Sequence, residues 1–250
     1  MESTEDLILD SCIIAGKILM ENGAEMHRVE DTMNRILDKE HGEGEAVSFV
    51  IPTGIFVTTR YGKNTKMKRI VTRKQNLEKI VEVNNLSRSF SAGSLSVSDL
   101  HDQLVYLENH DIDFPLWLKI VCSAVISGSM MLLFEGDPRD FVLTMAIGSL
   151  GYYVYYNLMS LMKVRFLQEL ISTFLVAFLV SVLNRYGLVH NLDTVIIGCI
   201  IILVPGIQIM NSIRDFLVGN TISGTVFMIE AMLIAGMIGA GVMAALQIFS

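Results

Sequence analysis

The sequence predicts an α-helical polytopic membrane protein of about five transmembrane helices, preceded by an N-terminal cytoplasmic α+β domain. Three observations predict it. First, the chain of 250 residues is 52% hydrophobic and only 18% charged, with a mean hydropathy of +0.50. Second, charge is segregated. Residues 1–115 hold 13 of the 19 Lys+Arg and 19 of the 26 Asp+Glu, and residues 116–250 hold the other 6 and 7. Third, five stretches after residue 115 approach the ~20 apolar helical residues that span ~30 Å of hydrocarbon. Together these exclude a disordered chain, a secreted disulfide scaffold and a basic nucleic-acid binder. Cys12, Cys122 and Cys199 are odd in number, with no CxxC spacing, so no metal or cofactor is expected.

In the N-terminal domain (1–115), residues 5–22 read as a helix ending near Gly23. Its apolar run, Leu7 to Met20, is broken by Asp10, Ser11 and Lys17 and leads into a charged domain, unlike a signal peptide. From Ala24 to Glu40 a second helix sets Met26, Val29, Met33, Ile36 and Leu37 on one face, opposite Arg28, Asp31, Arg35 and Asp38. Three strands follow: Ala46 to Ile51, Ile55 to Tyr61 and Lys66 to Thr72. Pro52-Thr53-Gly54 separates the first two and Gly62-Lys63-Asn64 turns between the others. Helices over Leu77 to Phe90 and Val97 to Asn109 complete the domain.

The membrane domain (116–250) divides into spans at about 116–134, 141–162, 166–183, 192–210 and 222–249. The third is short and polar at its start, so four spans remain the alternative. Lys119, Lys163, Arg165 and Arg214 fall on one side, while Arg139 and Arg185 fall on the other. The positive-inside bias therefore puts the N-terminus in the cytoplasm. The last span lines up Gly236, Ala240 and Ala244, with Ala235 and Gly239 beside them. Such stripes permit close helix packing, within the chain or against another subunit.

Ionisable groups at bilayer depth are costly and usually face a pathway or a partner. Glu230 lies about eight residues into the last span, ~12 Å deep at helical rise. It is a candidate proton carrier or a permanently protonated structural group. Glu169 and Asp193 sit nearer span ends as further ion-coupling candidates. Pro205-Gly206 falls late in the fourth span, where proline removes a helical hydrogen bond. A discontinuous helix there would offer free N–H groups to an anion; a packing kink is the other reading. Asn211, Arg214 and Asp215 follow closely, and Arg214 suits a carboxylate. No GxxxxGK[ST], HExxH, GxSxG or strand-associated GxGxxG occurs, so no catalytic residue is assigned and no enzyme is expected. His27, beside Arg28 and Glu30, reads as an acid–base group or simply a solvated one.

Four stretches carry a resemblance: Gly23-Ala24-Glu25-Met26-His27-Arg28-Val29-Glu30-Asp31-Thr32-Met33; Pro52-Thr53-Gly54; Arg69 to Arg88, with Asn76-Leu77, Val83-Asn84 and Leu86-Ser87-Arg88; and Pro205-Gly206 through Asn211, Arg214-Asp215, Gly219 and Glu230-Ala231. In these the chain resembles the threonine/serine exporter-like membrane proteins of bacteria. The resemblance implies ion-driven export of small hydrophilic metabolites, threonine and serine or dicarboxylates such as succinate, across the cytoplasmic membrane. It also implies that a five-span chain is the larger subunit of a split exporter, working with a small membrane protein of four or five spans. The pair is a possible homo-oligomer, in a lipid bilayer and with no nucleic-acid partner.

On this reading Pro205, Gly206, Asn211, Arg214 and Asp215 bind a carboxylate-bearing substrate, and Glu230, Glu169 and Asp193 couple it to an ion. His27, Arg28, Glu30, Asp31, Thr53 and Arg88 form a cytoplasmic gate. The rivals are a membrane-anchored sensor or scaffold and a membrane-tethered hydrolase.

Overall fold

A computed structural model describes the chain apart from residues 1–3, 43–44, 60–63, 72, 111–112, 162–163, 165 and 250. Tyr61, Gly62, Lys63, Thr72, Met162, Lys163 and Arg165, which the sequence reading places in strand ends, a hairpin turn, a span end and a basic flank, lie outside the described residues. The chain forms two compact units, Met1–Asp113 with Ile209–Met228, and Phe114–Gln208 with Ile229–Ser250. The segment Ile209–Met228, which the hydropathy pattern joins to the membrane half, thus belongs to the first unit.

In the first unit, α1 (Thr4–Glu21) packs against α2 (Met26–His41), a three-stranded sheet, α3 (Leu77–Ser91) and α4 (Val97–Asn109). α1 is apolar on most of its circumference because it runs through the core. Ile8, Leu9, Cys12, Leu19 and Met20 are buried there with Met33, Leu37, Ile55, Leu104 and Phe227. Gly16 lets α2 approach closely, since a Cβ there would lie 2.5 Å from Met33 Sδ. α1 ends at Gly23, whose φ of +90° is costly for any residue with a Cβ. Asn76 and Ser96 cap α3 and α4, accepting from the Lys79 and Asp99 N–H groups at 3.1 Å.

The sheet is an antiparallel meander of β1 (Ala46–Ile51), β2 (Gly54–Thr59) and β3 (Thr65–Arg69). Strand alternation buries Ala46, Ser48, Val50, Ile55 and Val57. It leaves Val47, Phe49, Phe56 and Met67 on the outer face, with Phe49 paired to Phe56 and Phe56 to Met67.

The second unit contains α5 (Leu116–Leu133), α6 (Phe141–Leu161), α7 (Leu167–Arg185), α8 (Leu192–Ile200) and the C-terminal part of α10 (Thr221–Gln247). Small hydroxyl side chains share its interior with apolar ones, and large apolar residues cover its surface. Ser123, Ser127, Thr144, Ser172, Thr173 and Ser181 are buried, whereas Trp117, Val121, Leu133 and Val142 are exposed. Small residues bring the helices together. A Cβ on Gly148 would clash with Ser127 Oγ, and one on Gly198 would meet Ser127 O at 2.8 Å. Close backbone approach of this kind is how helices associate in lipid. The hydroxyls of Ser123, Thr144 and Ser181 donate to carbonyls three or four residues earlier, and Thr173 Oγ1 also reaches the Ile238 carbonyl of α10 at 3.3 Å. Met131, Ile147, Val176, Val180 and Val195 form a buried apolar cluster.

One expectation is met in part and another needs correction. Five spans are predicted, but three helices are long and apolar enough to cross a membrane among the described residues: Leu116–Leu133, Leu167–Arg185 and Thr221–Gln247. A bent pair makes a fourth. α6 has the length, at 21 residues, but Tyr152, Tyr153, Tyr155, Tyr156 and Asn157 dilute its apolar character. The fourth span is not one helix over 192–210. α8 stops at Ile200, a 3-10 turn covers Ile201–Leu203, and α9 (Gly206–Val218) resumes at a 62° bend. The cause is local: Pro205 has no N–H to donate, and Val204 before it is extended, at ψ 132°. The polar segment Asn211–Asp215 is therefore helical.

Candidate functional site

The first unit joins two distant parts of the sequence at the α1–α2 corner. Glu25 stands at the N-cap of α2 in extended conformation (φ −69°, ψ 140°), yet its side chain makes no capping hydrogen bond. It accepts instead from Arg214 Nη1 of α9. Three residues earlier on α9, Asn211 is buried and donates from Nδ2 to the Gly23 carbonyl at 3.2 Å. Asn211 and Arg214 lie on one face at i, i+3 spacing, so one turn of α9 reads both the backbone and the carboxylate of the corner.

Asp215 is the unusual member. It is fully buried, and neither carboxylate oxygen has a hydrogen-bond partner. The charges acting on it are His27, which attracts, and Glu25 and Glu30, which repel. His27 Nε2 lies 3.5 Å and Arg28 Nε 3.6 Å from Glu25 Oε2. Both distances are ionic rather than hydrogen-bonded, and Glu25 Oε2 and His27 Nδ1 are themselves buried without partners. Glu30 accepts from the Val50 N–H at 3.2 Å, fixing α2 to β1.

The other predicted residues disperse. Asp31 pairs with Arg35 at 2.7 Å on the solvent side of α2. Thr53 is exposed in the β1–β2 turn and Arg88 is exposed on α3; neither joins the cluster among the described residues. Pro205 and Gly206 form the helix break. In the second unit Glu169 is buried on α7, with Oε1 accepting from Gln168 Nε2 at 3.3 Å and Oε2 unpartnered. Asp193 is exposed in the first turn of α8, and Glu230 is half-buried on α10. No group of three or more His, Cys, Asp or Glu suited to a metal occurs among the described residues.

Glu25 and Asp140 were not singled out from the sequence. Glu25 carries a signal in hindsight, as an acid directly after a Gly-Ala helix stop. Asp140 sits in the polar Asp-Pro-Arg-Asp turn, and its side chain accepts from the N–H groups of His190 and Asn191 and lies 2.9 Å from His190 Nδ1.

The cluster can hold an anion at Arg214, and it keeps polar atoms of Asp215, Glu25 and His27 buried without hydrogen-bond partners. It lacks a nucleophile activated by a base. No curated protein and no solved structure matches the chain. A family model described as "Putative threonine/serine exporter" matches residues 10–249. That match covers both units, the corner at Gly23–Asp31 and the α9 residues alike, and the chain belongs to the threonine/serine exporter family of membrane transporters.

Proposed function

We propose that the chain is one subunit of a secondary exporter for small carboxylate-bearing metabolites, a dicarboxylate such as succinate or threonine and serine. It acts in the inner membrane of a bacterium with its N-terminus in the cytoplasm, alongside a small membrane protein of four or five spans. The observation that carries this reading is the Glu25–Arg214 pair. Arg214 already grips a carboxylate, and its side chain remains 48% exposed. A substrate carboxylate can therefore exchange with Glu25 at a guanidinium preorganised by the neighbouring Asn211 anchor.

The broken α8–α9 pair supplies the discontinuity that transporters of other folds place near their sites. Glu230, half-buried on the longest apolar helix, is the coupling carboxylate in this reading, with Glu169 and Asp193 as secondary positions. Five spans, with α6 as the least apolar of them, keep the termini on opposite sides. The small-residue stripe of α10 supports a companion subunit: a Cβ added to Gly236 or Gly239 meets no described atom within 4 Å.

The test is efflux of labelled succinate and of labelled threonine from proteoliposomes containing the chain with its companion. Arg214→Ala is expected to lower efflux at least tenfold and Arg214→Lys less. Wild-type efflux from Arg214→Ala would remove the carboxylate-binding role. Variants at Arg214 and Pro205 that change abundance alone would favour an anchor or scaffold.

A further inference from the structure

We propose that Asp215, Glu25 and His27 form a shared proton-binding site in the first unit, whose occupancy sets whether Glu25 holds Arg214. The role of Arg214 rests on the exporter reading above; the proton site itself does not.

The geometry is that of a site short of hydrogen-bond donors. Asp215 Oδ1 and Oδ2, Glu25 Oε2 and His27 Nδ1 are all buried, and none has a hydrogen-bond partner. An ionised carboxylate buried with no donor is strongly unfavourable, and it relieves this by taking a proton or acquiring a donor. The surrounding charges are few. α2 contributes His27, Arg28 and Glu30 beside the corner acid Glu25, and α9 itself contributes Arg214. The part of α10 in this unit, Thr221–Met228, meets α9 where Ser212 Oγ donates to the Gly224 carbonyl, and it carries no ionisable residue. Three acids thus face one histidine and two arginines, and both arginines reach Glu25.

One proton reduces the deficit in either of two places. On Asp215 it removes a buried charge. On His27 Nδ1 it makes an imidazolium, whose Nε2–H already faces Glu25 at 3.5 Å. In that state His27 and Arg28 compensate Glu25, and Arg214 is released to an incoming carboxylate. The incoming anion adds negative charge beside Asp215 and Glu30, which favours the bound proton. Proton and carboxylate therefore bind with positive, reciprocal coupling.

The experiment is infrared pH-difference spectroscopy of the full chain in lipid nanodiscs, between mildly alkaline and mildly acidic buffer. A carboxylic-acid C=O band is expected to appear on acidification, to be lost in Asp215→Asn and to shift its midpoint in His27→Gln. It should persist in Glu230→Gln. A second arm adds succinate and measures proton uptake on binding by calorimetry in buffers of different ionisation enthalpy; uptake is expected in the wild type and its loss in Asp215→Asn. A band unchanged in correctly folded Asp215→Asn, or a midpoint unmoved in His27→Gln, overturns the proton site. Both band effects with no succinate-linked uptake overturn the coupling to Arg214 and leave the proton site standing. A sodium-dependent band shift at constant pH would overturn the proton as ligand.

Discussion

Glu25 and Arg214 are an ion pair between residues 189 positions apart in sequence. Glu25 is nearly enclosed, with 13% of its side chain exposed, whereas Arg214 is half-exposed at 48%. That asymmetry shapes the energetics. Solvent screens the pair through the arginine, and a double-mutant cycle of Glu25→Gln and Arg214→Gln is expected to give a coupling of about 1 kcal/mol or less. Thermal unfolding in detergent checks it. Efflux is expected to fall far more steeply than stability, which separates binding from scaffolding.

Asp140 should be a stability residue of the second unit. It is fully buried and holds the His190–Asn191 turn through two backbone N–H groups, at 2.9 and 3.0 Å. Asp140→Ala leaves those donors unpaired and is expected to cost about 1–3 kcal/mol. Burial pushes the Asp140 carboxyl up, but the hydrogen bonds from His190 and Asn191 outweigh it, and the group lies below its ordinary value of 3.8. The sign follows. The ionised form is favoured by folding, so its stabilisation is present above 3.8 and is lost as pH falls through the lowered value. The acid limb of a stability–pH profile should therefore flatten in Asp140→Ala.

Glycines of the second unit divide into two groups by what an added methyl would meet. Gly198→Ala drives Cβ to 2.8 Å from the Ser127 backbone oxygen and 3.1 Å from Met131 Cα, neither of which can rotate away. A loss of about 1–3 kcal/mol is expected. Gly236→Ala and Gly239→Ala meet nothing within 4 Å, so in the chain alone they should be neutral, or stabilising through helix propensity. If a companion helix covers that stripe, the same two variants weaken co-purification of the partner. Unfolding of the single chain, set beside pull-down of the pair, reads both effects.

Pro205→Ala restores an N–H at the helix break and removes the steric clash with the preceding turn. Efflux is expected to drop severalfold while expression and membrane insertion hold. Cysteine pairs flanking the break, read by spin-label distances, should report a straighter segment.

Local order was legible in the sequence where it has a local cause. The Val97–Asn109 helix follows from the Ser96 cap and its apolar period, and Ala46–Ile51 from alternation between two turns. The end of α1 followed from Gly23. The site is different in kind. Arg214 reads as a carboxylate ligand from its type, but nothing periodic connects it to Glu25, and Asn211 finds a backbone carbonyl that has no side-chain signature. Hydropathy assigned Ile209–Met228 to the membrane half because it links the apolar runs at 192–210 and 222–249. Phe227 joins a core made by the other end of the chain, whereas Met210, Ile213, Phe216, Leu217, Val218 and Ile222 stay exposed. The tyrosines of α6 show the opposite ambiguity, long enough to span yet too polar to be counted on composition.

The split first unit also sets an order of events during synthesis. Met1–Asp113 leaves the ribosome long before Ile209–Met228 exists. Until then Phe227 is missing from the core and Arg73 lacks the ring it stacks over at 5.0 Å. The Gly23 carbonyl and Glu25 also wait without Asn211 and Arg214. The nascent domain stays unfinished while the helices of Phe114–Gln208 are made. Closure of the corner thus follows synthesis of the whole of Phe114–Gln208, and the first unit, though begun first, gains its full set of contacts only after that stretch exists.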